Sequence, residues 1–263
     1  METFIKTSIQ DGIGQVILDR PEKRNALTRE MIRQLQIGFE TLSQNESLRL
    51  IVLRAEGSVF CAGMDLGEMQ DRASTNDGQA EWHKDSEVYA ACLKTIFEMD
   101  VPTIAVMQGP TLAGGVGMVL ACDFILASTG SFFMLPEPAR GITAAIVTPF
   151  LNFRVAPCVA NHLLLSGERM NAKRAFDVGL VYDVVDPGDL NARTDKLINA
   201  ILNGSRSALA ITKSHLQNSL PFNLEQQLVQ SIQVSASARE TQDAREGLAA
   251  FIEKRLPTWN PGS

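Results

Sequence analysis

The sequence predicts an α/β fold, and three observations carry that expectation. An apolar run, a loop and a helical segment follow one another three times between residues 13 and 121. Two of the runs, 50–54 and 103–107, are continuously apolar or β-branched, as buried strands are. Glycine-bearing turns follow both of them, where a strand would hand over to a helix. Repeated units of this order imply stacked sheet layers with helices packed outside.

Ile13-Gly14-Gln15-Val16-Ile17-Leu18 opens the first unit and ends in Asp19-Arg20-Pro21, a strand running into a turn. Thr28 precedes Met31, Leu35, Phe39 and Leu42 at helical spacing and is the expected N-cap. Leu50-Ile51-Val52-Leu53-Arg54 is the second strand, leading to a helix start at Asp65-Leu66-Gly67-Glu68-Met69. Thr103 to Met107 is the third; it passes through Gln108-Gly109-Pro110 into a small-residue helix from Val116 to Ala121, and Phe124 to Ala127 adds a strand. Residues 70–81 are polar without apolar periodicity and predict a mobile surface loop, either incidental or gating a substrate. After Gly204 the strand patterns stop, and 206–218, 224–238 and 241–255 read as helices. Residues 1–203 are therefore the expected core and 204–263 a helical region.

A chain of 263 residues, 45% hydrophobic and 21% charged, is long enough to bury a full core and excludes disordered or collagen-like architectures. The net charge of −6 argues against a nucleic-acid partner, which would require excess cation. No signal peptide is recognisable, and no apolar stretch reaches the roughly 18 residues of a membrane span. The cytoplasm is the expected compartment. Cys61, Cys92, Cys122 and Cys158 lack metal or CxxC spacing and read as reduced core residues. No metal site is expected, and the motifs of zinc proteases, serine hydrolases, P-loops and dinucleotide folds are missing.

Two turns carry the chemistry. In Phe60-Cys61-Ala62-Gly63-Met64-Asp65-Leu66, Gly63 can take a positive φ and turn the Met64 N–H into a cavity, with Asp65 capping the next helix. Gln108 to Met118 holds Gly114, Gly115 and Gly117 at a helix start, where free N–H groups and the helix dipole favour a negative oxygen. Two such donors on one carbonyl oxygen form an oxyanion hole, the device enolate chemistry needs. Either turn alone is weak evidence, because glycine-rich helix starts are common and often serve only close packing.

Together, in this order and separation, the turns resemble those of the crotonase superfamily, the enoyl-CoA hydratases and isomerases. The resemblance extends through Leu18-Asp19-Arg20-Pro21, Asn25-Ala26-Leu27, Phe133 to Glu137, Leu165 to Arg169, Gly179-Leu180-Val181 and Glu246-Gly247. It implies a crotonase-like ββα spiral core with a C-terminal helical trimerisation region, assembling as trimers or as hexamers of two trimers. It implies that Met64 and Gly114 hold the thioester oxygen of an acyl-CoA, so that coenzyme A is part of the substrate and no separate cofactor is needed. The nucleotide would lie near Lys23, Arg24, Ala26 and Ala62, beside Asp65 and Leu66. Lys254 or Arg255 would reach its phosphates from this or a neighbouring subunit, although each cation equally suits a solvated surface.

Glu137 lies in an apolar stretch between two prolines, a setting that raises a carboxyl pKa and suits it to proton transfer near neutrality. The resemblance places a catalytic glutamate there. Many hydratases carry a second glutamate where this chain has Gly117. Three readings stay open: a hydratase working with Glu137 alone, a Δ3,Δ2-enoyl-CoA isomerase needing one base, and a non-catalytic acyl-CoA-binding subunit. Gly115 to Gly117 with Arg140 to Phe150 look like bacterial hydratases of 3-methylglutaconyl-CoA or isohexenylglutaconyl-CoA, which favours hydration. Arg140 would then meet the distal carboxylate of such a substrate, or else serve a surface or intersubunit salt bridge.

Overall fold

The computed structural model describes residues 2–73, 78–220 and 223–262. A six-stranded sheet runs in the order β1 (Ile5–Gln10), β2 (Ile13–Leu18), β3 (Leu50–Ala55), β4 (Thr103–Met107), β6 (Phe124–Ser128), β9 (Asp183–Val185). A second sheet holds β5 (Thr111–Leu112), β7 (Phe132–Met134) and β8 (Met170–Asn171). From β2 to β9 the large sheet is parallel. Strand β1 is an addition to the elements the sequence predicts. It pairs antiparallel with β2 through Asp11-Gly12, both at positive φ, as a tight two-residue hairpin requires.

The helices are α1 (Arg29–Ser43), α2 (Leu66–Ala73), α3 (Gly78–Phe97), α4 (Gly114–Ala121), α5 (Thr148–Arg154), α6 (Pro157–Asn161), α7 (Ala172–Asp177), α8 (Leu190–Leu202), α9 (Arg206–Asn218), α10 (Leu224–Ala238) and α11 (Gln242–Ile252). Thr28 caps α1 as expected, its Oγ1 accepting from Met31 N at 3.0 Å. That helix buries Met31, Leu35, Phe39 and Leu42, each large apolar side chain contributing about 2 kcal/mol. Strand periodicity divides the core. Ile51 and Leu53 join the layer beneath α1, α3 and α4, whereas Leu50 and Val52 face Leu197, Ile198 and Ile201 of α8.

The expected loop at 70–81 is not one: α2 and α3 cover it except for residues 74–77, which lie outside the described residues. Two of its charged residues, Arg72 and Glu81, belong to an ion-pair network. Asp85 of α3 receives Arg29 and Arg72 at 2.5 Å each, while Arg29 also meets Glu81 at 2.6 Å and Arg72 meets Glu68 at 2.5 Å. Charged residues can thus mark a helix bolted to its neighbours as readily as a solvated loop. Asp85→Ala should lower the unfolding free energy by about 2 kcal/mol, because charge-assisted hydrogen bonds to two half-buried guanidinium groups are lost. A drop in urea midpoint at unchanged slope would report it.

The C-terminal helices match their predicted positions, except that α11 ends at Ile252 and Lys254 takes a left-handed φ of 56°. They lie against the core. Lys213 of α9 pairs with Asp123 at 2.8 Å, and α10 packs along α3. Helix α11 docks where two glycines permit backbone contact: a Cβ on Gly141 would stand 2.2 Å from Asp243 O, and one on Gly247 2.3 Å from Arg140 O. Three cysteines are buried as expected. Cys158 is exposed instead, because α6 turns Val159 and Ala160 inward. Among the described residues no helix is long and apolar enough to cross a membrane.

Candidate active site

Three chain segments lie side by side at the site. Leu27 bridges Met64, with Leu27 N donating to Gly63 O at 2.8 Å and Asp65 N to Leu27 O at 2.9 Å. On the other flank Cys61 bridges Thr111, and Leu112 N donates to Cys61 O at 2.9 Å. The two predicted turns are therefore zipped together. Gly63 has φ +89°, and a Cβ there would lie 3.5 Å from Gly114 N. Neither the Met64 nor the Gly114 N–H is spent on a backbone carbonyl among the described residues. The helix at the second turn starts two residues earlier than expected, at Gly114, because Ala113 turns the chain with φ 50° and ψ −126°. A left-handed alanine is strained backbone, and such strain gathers at functional turns.

Glu137 arrives from the second sheet. Strand β7 pairs with β5, Ala113 N donates to Met134 O at 2.9 Å, and the chain reaches Glu137 three residues later. The Glu137 side chain is 6% exposed, and its Oε2 has no hydrogen-bond partner among the described residues. Burial pushes its carboxyl up to about 7, against the opposing pull of its own backbone hydrogen bond and of Arg140 and Arg239. A carboxyl so placed can both take and return a proton at neutral pH.

A small cavity of about 40 Å³, open to solvent at one end, joins these parts, lined by Met64, Gly114 and Glu137 with Leu66, Met69, Tyr89, Ile142, Ile146, Arg140 and Arg239. Of the substrate-binding candidates, Ala62 is tied by its N–H to Arg24 O at 3.0 Å, which sets Lys23, Arg24 and Ala26 at the edge of the Gly63 turn. Asp65 caps α2 through Gly67 N and Glu68 N and pairs with Arg20 at 2.7 Å, so both its oxygens are engaged. Gly117 is buried one helical turn behind Gly114. Arg140 lies over the Phe251 ring at 4.6 Å and reaches the cavity. Lys254 and Arg255 are exposed and do not line it; Arg255 is held by Glu246 and Glu253 at 2.6 Å each.

Sequence reasoning missed Tyr89 and Arg239. The run Tyr89, Leu93, Ile96 and Phe97 has helical spacing and marks the inward face of α3, so Tyr89 was detectable as buried. Nothing in the sequence ties Arg239, at the end of α10, to a turn more than 100 residues earlier.

The signature of the enoyl-CoA hydratase/isomerase family matches residues 8–262. The chain belongs to that family. As a member of the enoyl-CoA hydratase/isomerase family it is 32% identical over 257 residues to the mitochondrial enoyl-CoA hydratase domain-containing protein 3 of Mus musculus, covering 97% of this chain and 83% of that protein. It is 27% identical over 248 residues to the crotonyl-CoA hydratase of Syntrophomonas wolfei, covering 94% of each. Its structure superposes on that of an enoyl-CoA hydratase from Mycobacterium avium with a TM-score of 0.87 at 29% identity, covering 99% of this chain and all of the other. The crotonase fold, an α/β core with a helical C-terminal region, is thereby established.

Proposed function

We propose that this protein is a hydro-lyase adding water to an α,β-unsaturated acyl-CoA. One observation carries the reading: Glu137 Oε2, without a hydrogen-bond partner among the described residues, shares a cavity with the unspent N–H groups of Met64 and Gly114. With the thioester oxygen between those donors, Glu137 as carboxylate takes a proton from water while the water oxygen adds to the β-carbon. The electron pair moves onto the thioester oxygen, which the two N–H groups stabilise. Glu137 then delivers its proton to the α-carbon, leaving a 3-hydroxyacyl thioester. No external cofactor enters this sequence. Isomerisation by the same single base is the second reading, favoured by Gly117 in place of a second carboxylate. A merely binding subunit would have no use for a buried carboxyl poised near 7.

The acyl chain we assign is a branched or carboxylated one of glutaconyl type. Arg140 and Arg239 both face the cavity, stacked on Phe251 and Trp82 with no carboxylate in ion-pair contact among the described residues. A distal carboxylate would complete them. The coenzyme A end would leave past Lys23, Arg24 and Ala62. Exposed Ile211, Leu216, Val229 and Val234 on α9 and α10 suit burial between copies, in a homotrimer or a hexamer of two trimers, where Lys254 and Arg255 of a neighbouring copy would approach the nucleotide. Straight, branched and carboxylated 2-enoyl and 3-enoyl thioesters, followed by loss of ultraviolet absorbance and by product mass, separate the readings. Hydration predicts gain of one water from 2-enoyl substrates, whereas isomerisation predicts 3-enoyl conversion at unchanged mass. Arg140→Gln should raise KM for the carboxylated thioester about 10- to 100-fold, the cost of one charge-assisted hydrogen bond, and spare the straight-chain substrate.

A further inference from the structure

Hydration at a buried carbon leaves one hydrogen of the attacking water in need of a hydrogen-bond acceptor. Of the two hydrogens on the attacking water, Glu137 takes one; the other needs an acceptor in a site with little solvent, or its burial is costly. Gly117 has no side chain to offer. The space in front of it is nevertheless filled: a Cβ built on Gly117 would stand 2.2 Å from the Tyr89 hydroxyl oxygen and 2.9 Å from Leu93 Cδ1. Tyr89 is 3% exposed, lines the same cavity as Glu137, and donates its hydroxyl proton to Gly114 O at 2.5 Å. That bond spends the only proton the phenol has and leaves its oxygen lone pairs as acceptors. Burial, with the charge of Glu137 adding to it, raises the Tyr89 pKa well above 10, so the group stays a neutral hydroxyl.

We propose that the Tyr89 hydroxyl oxygen is the second water-holding group of this site, seated where a longer side chain at position 117 would otherwise reach. The inference rests on the hydratase reading. Water bridges Glu137 Oε2 and Tyr89 Oη. Its oxygen bonds to the β-carbon, one hydrogen goes to Glu137 and from there to the α-carbon, and the other stays on the new hydroxyl, hydrogen-bonded to Tyr89. Tyr89 gains and loses no proton, and the net change is addition of one water. On this account Gly117 is not a missing catalytic group but the clearance Tyr89 requires.

The test is Tyr89→Phe, which keeps the ring and deletes the oxygen. With a 2-enoyl thioester, kcat for hydration should fall about 10- to 100-fold, the value of one hydrogen bond to a group acquiring charge, while thioester affinity changes little. Exchange of α-protons of a saturated acyl-CoA into heavy water depends on Glu137 and the oxyanion hole but not on a held nucleophile, so the ratio of hydration to exchange should drop. A purely structural tyrosine would lower both together, and that result overturns the proposal, as does a Tyr89→Phe enzyme that hydrates like wild type. A second arm compares Tyr89→Ala with Tyr89→Ala/Gly117→Glu. The carboxylate placed in the vacated seat should recover hydration, and no recovery contradicts the shared seat. A wild-type enzyme that exchanges α-protons but hydrates no thioester overturns the hydratase reading and this inference with it; a hydrating wild type with an unimpaired Tyr89→Phe variant overturns this inference alone.

Discussion

Glu137→Gln should bind acyl-CoA as wild type does and lose hydration by about 10⁴-fold, the upper range for a group serving as both base and acid. The amide keeps the shape but can neither take nor return a proton. Its effect on stability has the opposite sign to its effect on catalysis. The Glu137 carboxyl rises from 4.5 to about 7 on folding, so its contribution to stability is intact below 4.5 and is lost as pH rises through about 7. Above neutrality the buried charge therefore costs the fold about 3 kcal/mol, at 1.36 kcal/mol per pKa unit. Glu137→Gln removes that cost and should raise the urea midpoint at pH 8 relative to pH 5, which separates loss of chemistry from loss of structure. In the wild type, kcat/KM should rise with pH to a plateau, half-maximal near 7, because the carboxylate is the active form of the free enzyme.

Gly63→Ala should cost about 10²- to 10³-fold in kcat for each oxyanion donor it displaces. The new Cβ would stand 2.5 Å from Ala113 Cβ, a distance that forces the two turns apart and moves Met64 N and Gly114 N out of register. The left-handed φ adds about 1–2 kcal/mol of strain for any residue with a Cβ. Gly179→Ala isolates that strain: Gly179 has φ +78° with nothing within 4 Å of an added methyl, and it lies outside the cavity. The control should lose a similar increment of stability and keep its turnover. Equal losses of turnover in the two variants would show that Gly63 acts through global stability rather than through the hole.

Most of the layered core was legible because its signals are local. The continuous apolar runs at 50–54 and 103–107 correspond to parallel strands covered on both faces, and Thr28 capped the helix its spacing implied. The first hairpin is encoded locally too, through Asp11-Gly12, although the apolar run that announces a strand begins only at Ile13, on its second arm. Residues 70–73 and 78–81 depart from expectation for a physical reason: hydropathy alone cannot distinguish charges facing water from charges such as Glu81 that face Arg29. At the site, the glycine turns and Glu137 announced themselves through backbone freedom and apolar flanks. Arg239 and the docking of α11 against Arg140 and Gly141 depend on contacts between distant elements, which no local pattern encodes. Tyr89 shows the intermediate case, since periodicity marks it as buried but only the fold sets its hydroxyl over Gly117.

If Glu137 and the paired turns of Met64 and Gly114 add water to a 2-enoyl thioester, the oxygen of the solvent must appear in the product. Turnover of such a thioester by wild type and Glu137→Gln, side by side in heavy-oxygen water, tests it most directly. The wild-type product should carry one labelled oxygen on its β-carbon, and the variant, with thioester still bound, should yield no labelled product above background. Absence of label with every 2-enoyl thioester offered to the wild type, or equal labelling by the variant, would contradict the role of Glu137 and the turns.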